Sequence, residues 1–187
     1  SPDRPGGQAG MSVGNREHRP LVTGTGRFVD DVRLDGLLHM KVLRSPHAHA
    51  RIVSIDTRAA AALPGVVAVI TGPEARQLAG PLPTMSNAIP DLKIPAHHLL
   101  AVDSVHFAGE GVAAVVATDA WLASDALEHI EVQYEPLPAV LDPEKAMEPE
   151  SPVLHEELGS NVAYRLHLGV DVDEALRHSD LVVRQRL

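Results

Sequence analysis

Two histidines, His47 and His49, stand one residue apart in Arg44-Ser45-Pro46-His47-Ala48-His49-Ala50-Arg51. On an extended segment they would share a face, the arrangement from which paired imidazoles bind zinc or iron. Glu110 lies between Gly109 and Gly111, where a carboxylate could act as a general base or accept hydrogen bonds from turn amides. His97-His98 is a further ligand pair, although adjacent side chains point apart on extended backbone. Gly24 and Gly26 suggest a tight backbone path with a superficial likeness to a phosphate loop. Each reading has a competitor. The chain has eleven histidines, so chance pairs are expected, and no third ligand follows from spacing. No second acid or nucleophile sits beside Glu110. No Lys-Ser/Thr follows the glycines, so an irregular segment is the better expectation there.

The elements that must position these residues are short. Leu37 to Ile55 reads as a strand, a polar connection that breaks at Arg44-Ser45-Pro46, and a second strand from Ile52. Asp56 caps a short Ala-rich helix, Thr57 to Leu63, closed by Pro64-Gly65. Val66 to Ile70 reads as a buried strand. Thr71 or Gly72 caps a second helix with Pro73 in its first turn and Gly80 at its end. Prolines 81, 83, 90 and 95 predict a long irregular excursion, of the kind that often serves as an interaction surface. Val112 to Val116 predicts a strand covered on both faces. Thr118-Asp119 caps a helix to about His129, with Leu122, Ala126 and Ile130 on one face and Trp121 covering its join with a sheet. Ile130, Val132 and Tyr134 alternate with charged or polar residues in a strand ended by Pro136. A loop-rich tail follows, its acidic run from Asp142 to Glu157 reading as a solvated face. Asp171 opens a short helix to His178, and Leu181 to Leu187 reads as a strand cut off in progress, which points to a fragment or to a neighbouring polypeptide.

Composition narrows the function classes. At 187 residues with 44% hydrophobic but only 3% aromatic residues, the core must be thin layers of Val, Leu, Ile and Ala. A net charge of -9 argues against nucleic acid as a partner. The absence of cysteine excludes disulfides, thiolate metal sites and iron–sulfur ligation by this chain. No apolar run approaches membrane-spanning length, and the first residues have no signal-peptide pattern, so a cytoplasmic location is the default.

The order of local sequences is more specific than any of its pieces. Thr23-Gly24-Thr25-Gly26-Arg27-Phe28-Val29-Asp30-Asp31 is followed by Leu37-Leu38-His39-Met40 and by Arg44-Ser45-Pro46-His47-Ala48-His49-Ala50-Arg51-Ile52. Pro64-Gly65-Val66, Gly109-Glu110 before Val112-Ala113, Asp125-Ala126 and Val132-Gln133-Tyr134-Glu135-Pro136-Leu137-Pro138-Ala139-Val140 complete the series. Over roughly residues 14–187 this resembles the start of the large subunit of molybdenum hydroxylases: xanthine dehydrogenase, aldehyde oxidase and carbon monoxide dehydrogenase. Gly111 stands where that family commonly has proline, which should loosen the turn after Glu110, and Arg16-Glu17-His18-Arg19-Pro20 varies the usual lead-in.

The resemblance implies an α+β fold, a mixed β-sheet with short helices, of the a/b hammerhead type. Residues 1–20 would be a flexible or extended arm, and residues 21–187 one hammerhead domain with its lead-in and a C-terminal extension, without the molybdopterin-binding domains. In such enzymes molybdopterin, 2Fe-2S clusters and FAD belong to other domains or chains, so the resemblance assigns no catalytic or cofactor-binding residue here. It implies a molybdenum-binding domain or subunit and an iron–sulfur subunit as partners. Arg44, His47, His49, Arg51, Gly109 and Glu110 then read as structural or interface residues. Two other readings stand beside it. One is an autonomous binding or scaffold module, which genomic neighbours would distinguish. The other is a small metalloenzyme using His47 and His49, which metal analysis would reveal.

Overall fold

The computed structural model describes residues 18–84, 89, 91–166, 168–169 and 171–185, and its contacts divide after Leu37 into two units. Most of the expected N-terminal arm, including Arg16 and Glu17 of the lead-in, lies outside the described residues, as does Pro90 of the excursion. In the first unit, α1 (His18–Val22) runs into a turn where the Thr25 and Gly26 amides both donate to the Pro20 carbonyl, at 2.8 and 2.9 Å. Gly24 takes φ +69°, and a Cβ on Gly26 would collide with Leu21. The path is tight, as expected, but the helix precedes the glycines, the reverse of a phosphate loop. A single 3-10 turn, Val29–Asp31, is closed by the Phe28 amide donating to Asp31 Oδ2 at 2.9 Å.

Among its described residues the second unit carries six strands: β1 (His39–Arg44), β2 (Ala50–Asp56), β3 (Val66–Thr71), β4 (Ser104–Val105), β5 (Gly111–Ala117) and β6 (Glu131–Pro136). Its helices are α2 (Arg58–Ala61), α3 (Gly72–Leu78), α4 (Ala120–Leu127) and α5 (Val172–Arg177). The strands form two three-stranded sheets, ordered β1-β5-β3 and β4-β2-β6. The fold class is the expected α+β; in place of one mixed sheet there are two small ones, and each pairing among the described residues is antiparallel. β1 and β2 are neighbours in sequence but belong to different sheets, so the polar connection between them crosses from one sheet to the other.

β5 is the central strand of its sheet, and its uninterrupted small apolar sequence is what two covered faces require. Ala113 and Val115 pack with Ala60 of α2, Ala126 of α4 and Ile130, while Ala114 packs with Ala75 of α3 and Leu100. A third cluster joins Ala50, Ala101, Val105 and Val112 to Ile52, Ile55, Val132 and Tyr134 of the second sheet. Val105, Val112 and Val115 are the largest fully buried side chains, so the core is the thin aliphatic layer that the composition predicts. Burying each is worth about 1.5–3 kcal/mol.

Each long ladder carries one extra residue. Leu43 faces Ala113 and Arg44 faces Gly111, leaving Val112 unpaired; Val53 and Val67 are unpaired in the same way in β2 and β3. Val53 and Val67 turn outward and are more than half exposed. β3 is accordingly an edge strand, not the buried strand that its apolar run predicts, because run length alone does not reveal which strands flank it.

The caps act largely as read. Asp56 Oδ1 accepts from the Arg58 amide at 3.0 Å, and its fork with the Arg58 guanidinium pulls the carboxyl to about 2. Glu74 Oε2 accepts from both the Thr71 amide, at 2.7 Å, and the Thr71 hydroxyl, at 2.8 Å, to close the start of α3, with Pro73 in the first turn. A side chain on Gly72 would run into the Ala101 carbonyl, so that helix can start here only with glycine. Asp119 caps α4 through the Trp121 and Leu122 amides, and Asp171 caps α5 through the Glu174 amide.

Three expectations need correction. Trp121 is 79% exposed and covers no join: it lies about 200° around α4 from buried Ala123, and Ala123, Ala126 and Leu127 face the sheet instead. Leu181 to Gln185 is exposed and forms no strand among the described residues. Gly111, expected to loosen the turn, lies beyond it, in the strand. It pairs with Arg44 as the first residue of β5 and accepts from the Ala101 amide at 2.8 Å, while Gly109 takes the left-handed φ of +96°.

Candidate functional site

The connection from β1 to β2 meets the turn that precedes β5, and the two are tied by backbone bonds. The Ser45 amide donates to the Glu110 carbonyl at 2.8 Å, and the Gly109 amide donates to the Ser45 carbonyl at 2.8 Å. Arg44 Nη1 donates to the Gly109 carbonyl, also at 2.8 Å. Ser45 is only 3% exposed; its hydroxyl accepts from the His47 amide at 3.0 Å and donates to the His47 carbonyl at 3.1 Å. That local turn is why the strand breaks at Ser45-Pro46.

His47 and His49 do not share a strand face. Both precede β2, and they turn to different partners. The His47 ring packs on Tyr134 with centroids 4.8 Å apart. Burial raises the Tyr134 hydroxyl above its ordinary value of 10.0, against a hydrogen bond with Ser45 that lowers it. His49 is buried, and its Nδ1 lies 2.8 Å from the Pro138 carbonyl, so Nδ1 carries the proton. The Leu137 amide returns a bond to the His49 carbonyl at 2.9 Å, fastening the end of β6. Arg51 pairs with Glu135 at 2.8 Å across β2 and β6, but both side chains are more than half exposed, where such a pair is worth about 0.2–1 kcal/mol.

Glu110 Oε2 accepts from the His106 amide at 2.6 Å and lies 3.6 Å from His106 Nδ1. Burial pushes this carboxyl up, but the His106 ring and amide, with the Phe107 amide, pull it further down, to a net position below its ordinary 4.5. A carboxylate held in that range is a weak base near neutrality, and this oxygen already serves a backbone amide. The arrangement is that of a turn anchor.

His106 and His155 are the members of this cluster that sequence reasoning missed. The His106 ring stacks between His49, at 5.9 Å and 26°, and His155, at 4.4 Å and 19°. His106 stands four residues before Glu110, a spacing that was available as a signal. His155 carries none, since it arrives from the acidic tail. Burial and the neighbouring His106 lower His155 below its ordinary 6.5, offset in part by Glu157. His97 also acts electrostatically on His155, while His98 leaves Nδ1 buried without a hydrogen-bond partner.

These donors do not fit a metal ion or an iron–sulfur cluster. Among the described residues no three His, Cys, Asp or Glu side chains are arranged to hold a metal ion, and there is no cysteine for an iron–sulfur cluster. No described helix is long and apolar enough to cross a membrane.

Comparison with known proteins agrees with this architecture. The family model described as "Aldehyde oxidase and xanthine dehydrogenase, a/b hammerhead domain" matches residues 23–138. The carbon monoxide dehydrogenase large chain of Afipia carboxidovorans is 47% identical over 72% of this chain and 16% of its own length. The 6-hydroxypseudooxynicotine dehydrogenase complex subunit gamma of Paenarthrobacter nicotinovorans is 38% identical over 95% of this chain and 22% of its own. The crystal structure of quinoline 2-oxidoreductase from Pseudomonas putida 86 superposes with a TM-score of 0.81 at 40% identity, covering 92% of this chain and 22% of that one. The chain thus spans 16–22% of the length of these relatives. It belongs to the aldehyde oxidase and xanthine dehydrogenase family of molybdenum hydroxylases, and it carries that family's a/b hammerhead domain.

Proposed function

We propose that this chain is a scaffold and interface part of a molybdenum-dependent oxidoreductase and is inactive by itself. The observation that carries the reading is where the candidate polar groups are spent. Arg44, Ser45, His49 and Glu110 all hold backbone, and none converges on a space where a substrate atom could sit next to both a base and a nucleophile. The parent activity, hydroxylation of a carbon centre or oxidation of a small substrate, would then lie in the parts of the relatives beyond the length this chain spans. Molybdopterin, 2Fe-2S and FAD would be held there or on partner chains. Relatives named as a large chain and as subunit gamma of a complex favour a multi-subunit parent, with a molybdenum-binding domain or subunit and an iron–sulfur subunit as partners. A cytoplasmic assembly suits such a parent.

The test is to co-express the chain with the molybdenum-binding and iron–sulfur polypeptides of its own genome and purify through a tag on this chain. Co-purification, with substrate oxidation only in the complex, is the expected result. Oxidation by this chain alone, or no association at concentrations where complexes of this family assemble, would overturn the proposal.

A further inference from the structure

The His49–His106–His155 column joins three separate parts of the chain: the β1–β2 connection, the turn before β5, and a 3-10 turn, Glu156–Leu158, in the acidic tail. His49 is fixed through Pro138 and His106 through Glu110. Among the described residues the His155 ring makes no such backbone bond; it meets His106 on its face and Glu157 Oε1 at 3.7 Å. We propose that this column is a proton-sensitive latch, which holds the tail loop around His155 on the hammerhead while the His155 ring is neutral and releases it when that ring takes up a proton.

The charges around the column decide the direction. His106 faces Glu110, His49 and the Ser104 hydroxyl, the last 3.4 Å from its Nε2. His155 faces His106, Glu157, His97 and Glu110. His49 faces His106 and the Pro138 carbonyl. Among the described residues Glu110 is the more shielded of the two carboxylates that face the stack, and its Oε2 is taken by the His106 amide. Glu157 is more than half exposed and is screened by water and salt. A proton on His155 therefore places a cation on a ring stacked 4.4 Å from His106, where the half-buried Glu110 is already engaged by the His106 amide. The lowered position of His155 agrees with this: its docked state prefers the neutral ring, so the released state binds more protons as pH falls through 6.5. The bonds that release would expose are specific. The Leu158 amide donates to the His155 carbonyl at 2.9 Å, the Gly159 amide to the Glu156 carbonyl at 3.1 Å, and the Leu154 amide to Asn161 Oδ1 at 2.9 Å.

Hydrogen exchange on the 187-residue chain tests this, comparing about pH 7.5 with about pH 5.5 after correction for intrinsic rates, a span that brackets the ordinary histidine range. The expected result is a severalfold loss of protection at Leu154, Leu158 and Gly159 on acidification, with the β5 amides unchanged. His155→Phe keeps a flat ring in the stack but cannot be charged, and its loop should stay protected at both pH values. The latch is overturned if wild-type protection is the same at both, if His155→Phe loses protection to the same extent, or if β5 opens in step with the loop. An NMR titration of the wild-type histidines requires no variant. The His155 ring must titrate over the range in which protection is lost, and titration outside that range would also reject the latch.

Discussion

Glu110 is the residue at which a catalytic and a structural role can be separated by substitution. Its carboxylate is about four-fifths shielded and accepts from the His106 amide. Glu110→Gln keeps an oxygen for that amide and removes the charge, so the loss at neutral pH should be about 1 kcal/mol. Glu110→Ala leaves the amide without its partner, and the loss should rise to about 1–3 kcal/mol. Urea midpoints of the two variants check the order; equal losses would mean that the His106 amide does not depend on this side chain. The same residue shows how far the site can be read in sequence. The glycines on either side mark a turn, and an acceptor role for the acid follows from turn chemistry. That its partner is His106 was open to local spacing, four residues back, but that the turn rests on Ser45 depends on a contact between segments 65 residues apart in sequence, as in the Arg44 bond to Gly109. His47 and His49 stand out through local spacing, yet that spacing misleads. A buried serine turn precedes them, and strand alternation begins only at Ala50.

At the scale of elements, α4 gives the clearest contrast between a helix face that bears load and one that does not. Ala123 and Ala126 are fully buried against the sheet, while Trp121 points outward from the first turn. Ala126→Leu forces three extra carbons into a filled layer and should cost about 1–3 kcal/mol. Trp121→Ser, despite removing the chain's one tryptophan, should change stability by no more than about 0.5 kcal/mol. Thermal midpoints compare the two, and free quenching of Trp121 fluorescence by acrylamide checks the exposure directly. A blue-shifted, protected tryptophan would contradict this packing. Periodicity and capping located α3, α4, β5 and β6 well, because those signals are local: Asp119, Thr71 with Glu74, and the alternation from Ile130 to Tyr134. What they could not reveal is which sheet each strand joins. β1 and β2 read as two strands joined by a polar connection, which leaves open that they belong to two sheets, and β3 reads as buried but lies at an edge. Strand partnership is set by long-range packing and by unpaired residues such as Val53 and Val67, whose sequence neighbours give no warning of them.

For the molecule as a whole, three groups near the β1–β2 connection set the pH range over which the second unit is most stable. His155 lies below its ordinary 6.5, so the unfolded chain binds the extra proton first and stability falls as pH drops below 6.5. Glu110 lies below its ordinary 4.5; the stability it adds is fully present above 4.5 and is lost as pH falls through its lowered folded value. Tyr134 lies above its ordinary 10.0, so the unfolded chain ionises first and stability falls as pH rises past 10. The three signs together predict a plateau from about pH 6.5 to about pH 10, with acid losses from His155 and Glu110 and an alkaline loss from Tyr134; the exposed Asp56–Arg58 fork adds a further loss only below 3.8. An opposing effect must be weighed. The net charge is -9, and acidification relieves that repulsion, which would stabilise the fold as pH falls. Most of those charges are exposed and are screened beyond about 8 Å at physiological salt, whereas the ring stack and Glu110 are partly shielded, so the local losses should dominate there. Thermal midpoints measured across this range at about 0.15 M salt check the plateau. His155→Phe should remove the upper acid step and Glu110→Gln the lower, leaving the alkaline limb in place. A midpoint that climbs steadily as pH falls from 6.5, and flattens when salt is raised, would instead show that surface repulsion outweighs the cluster around His106.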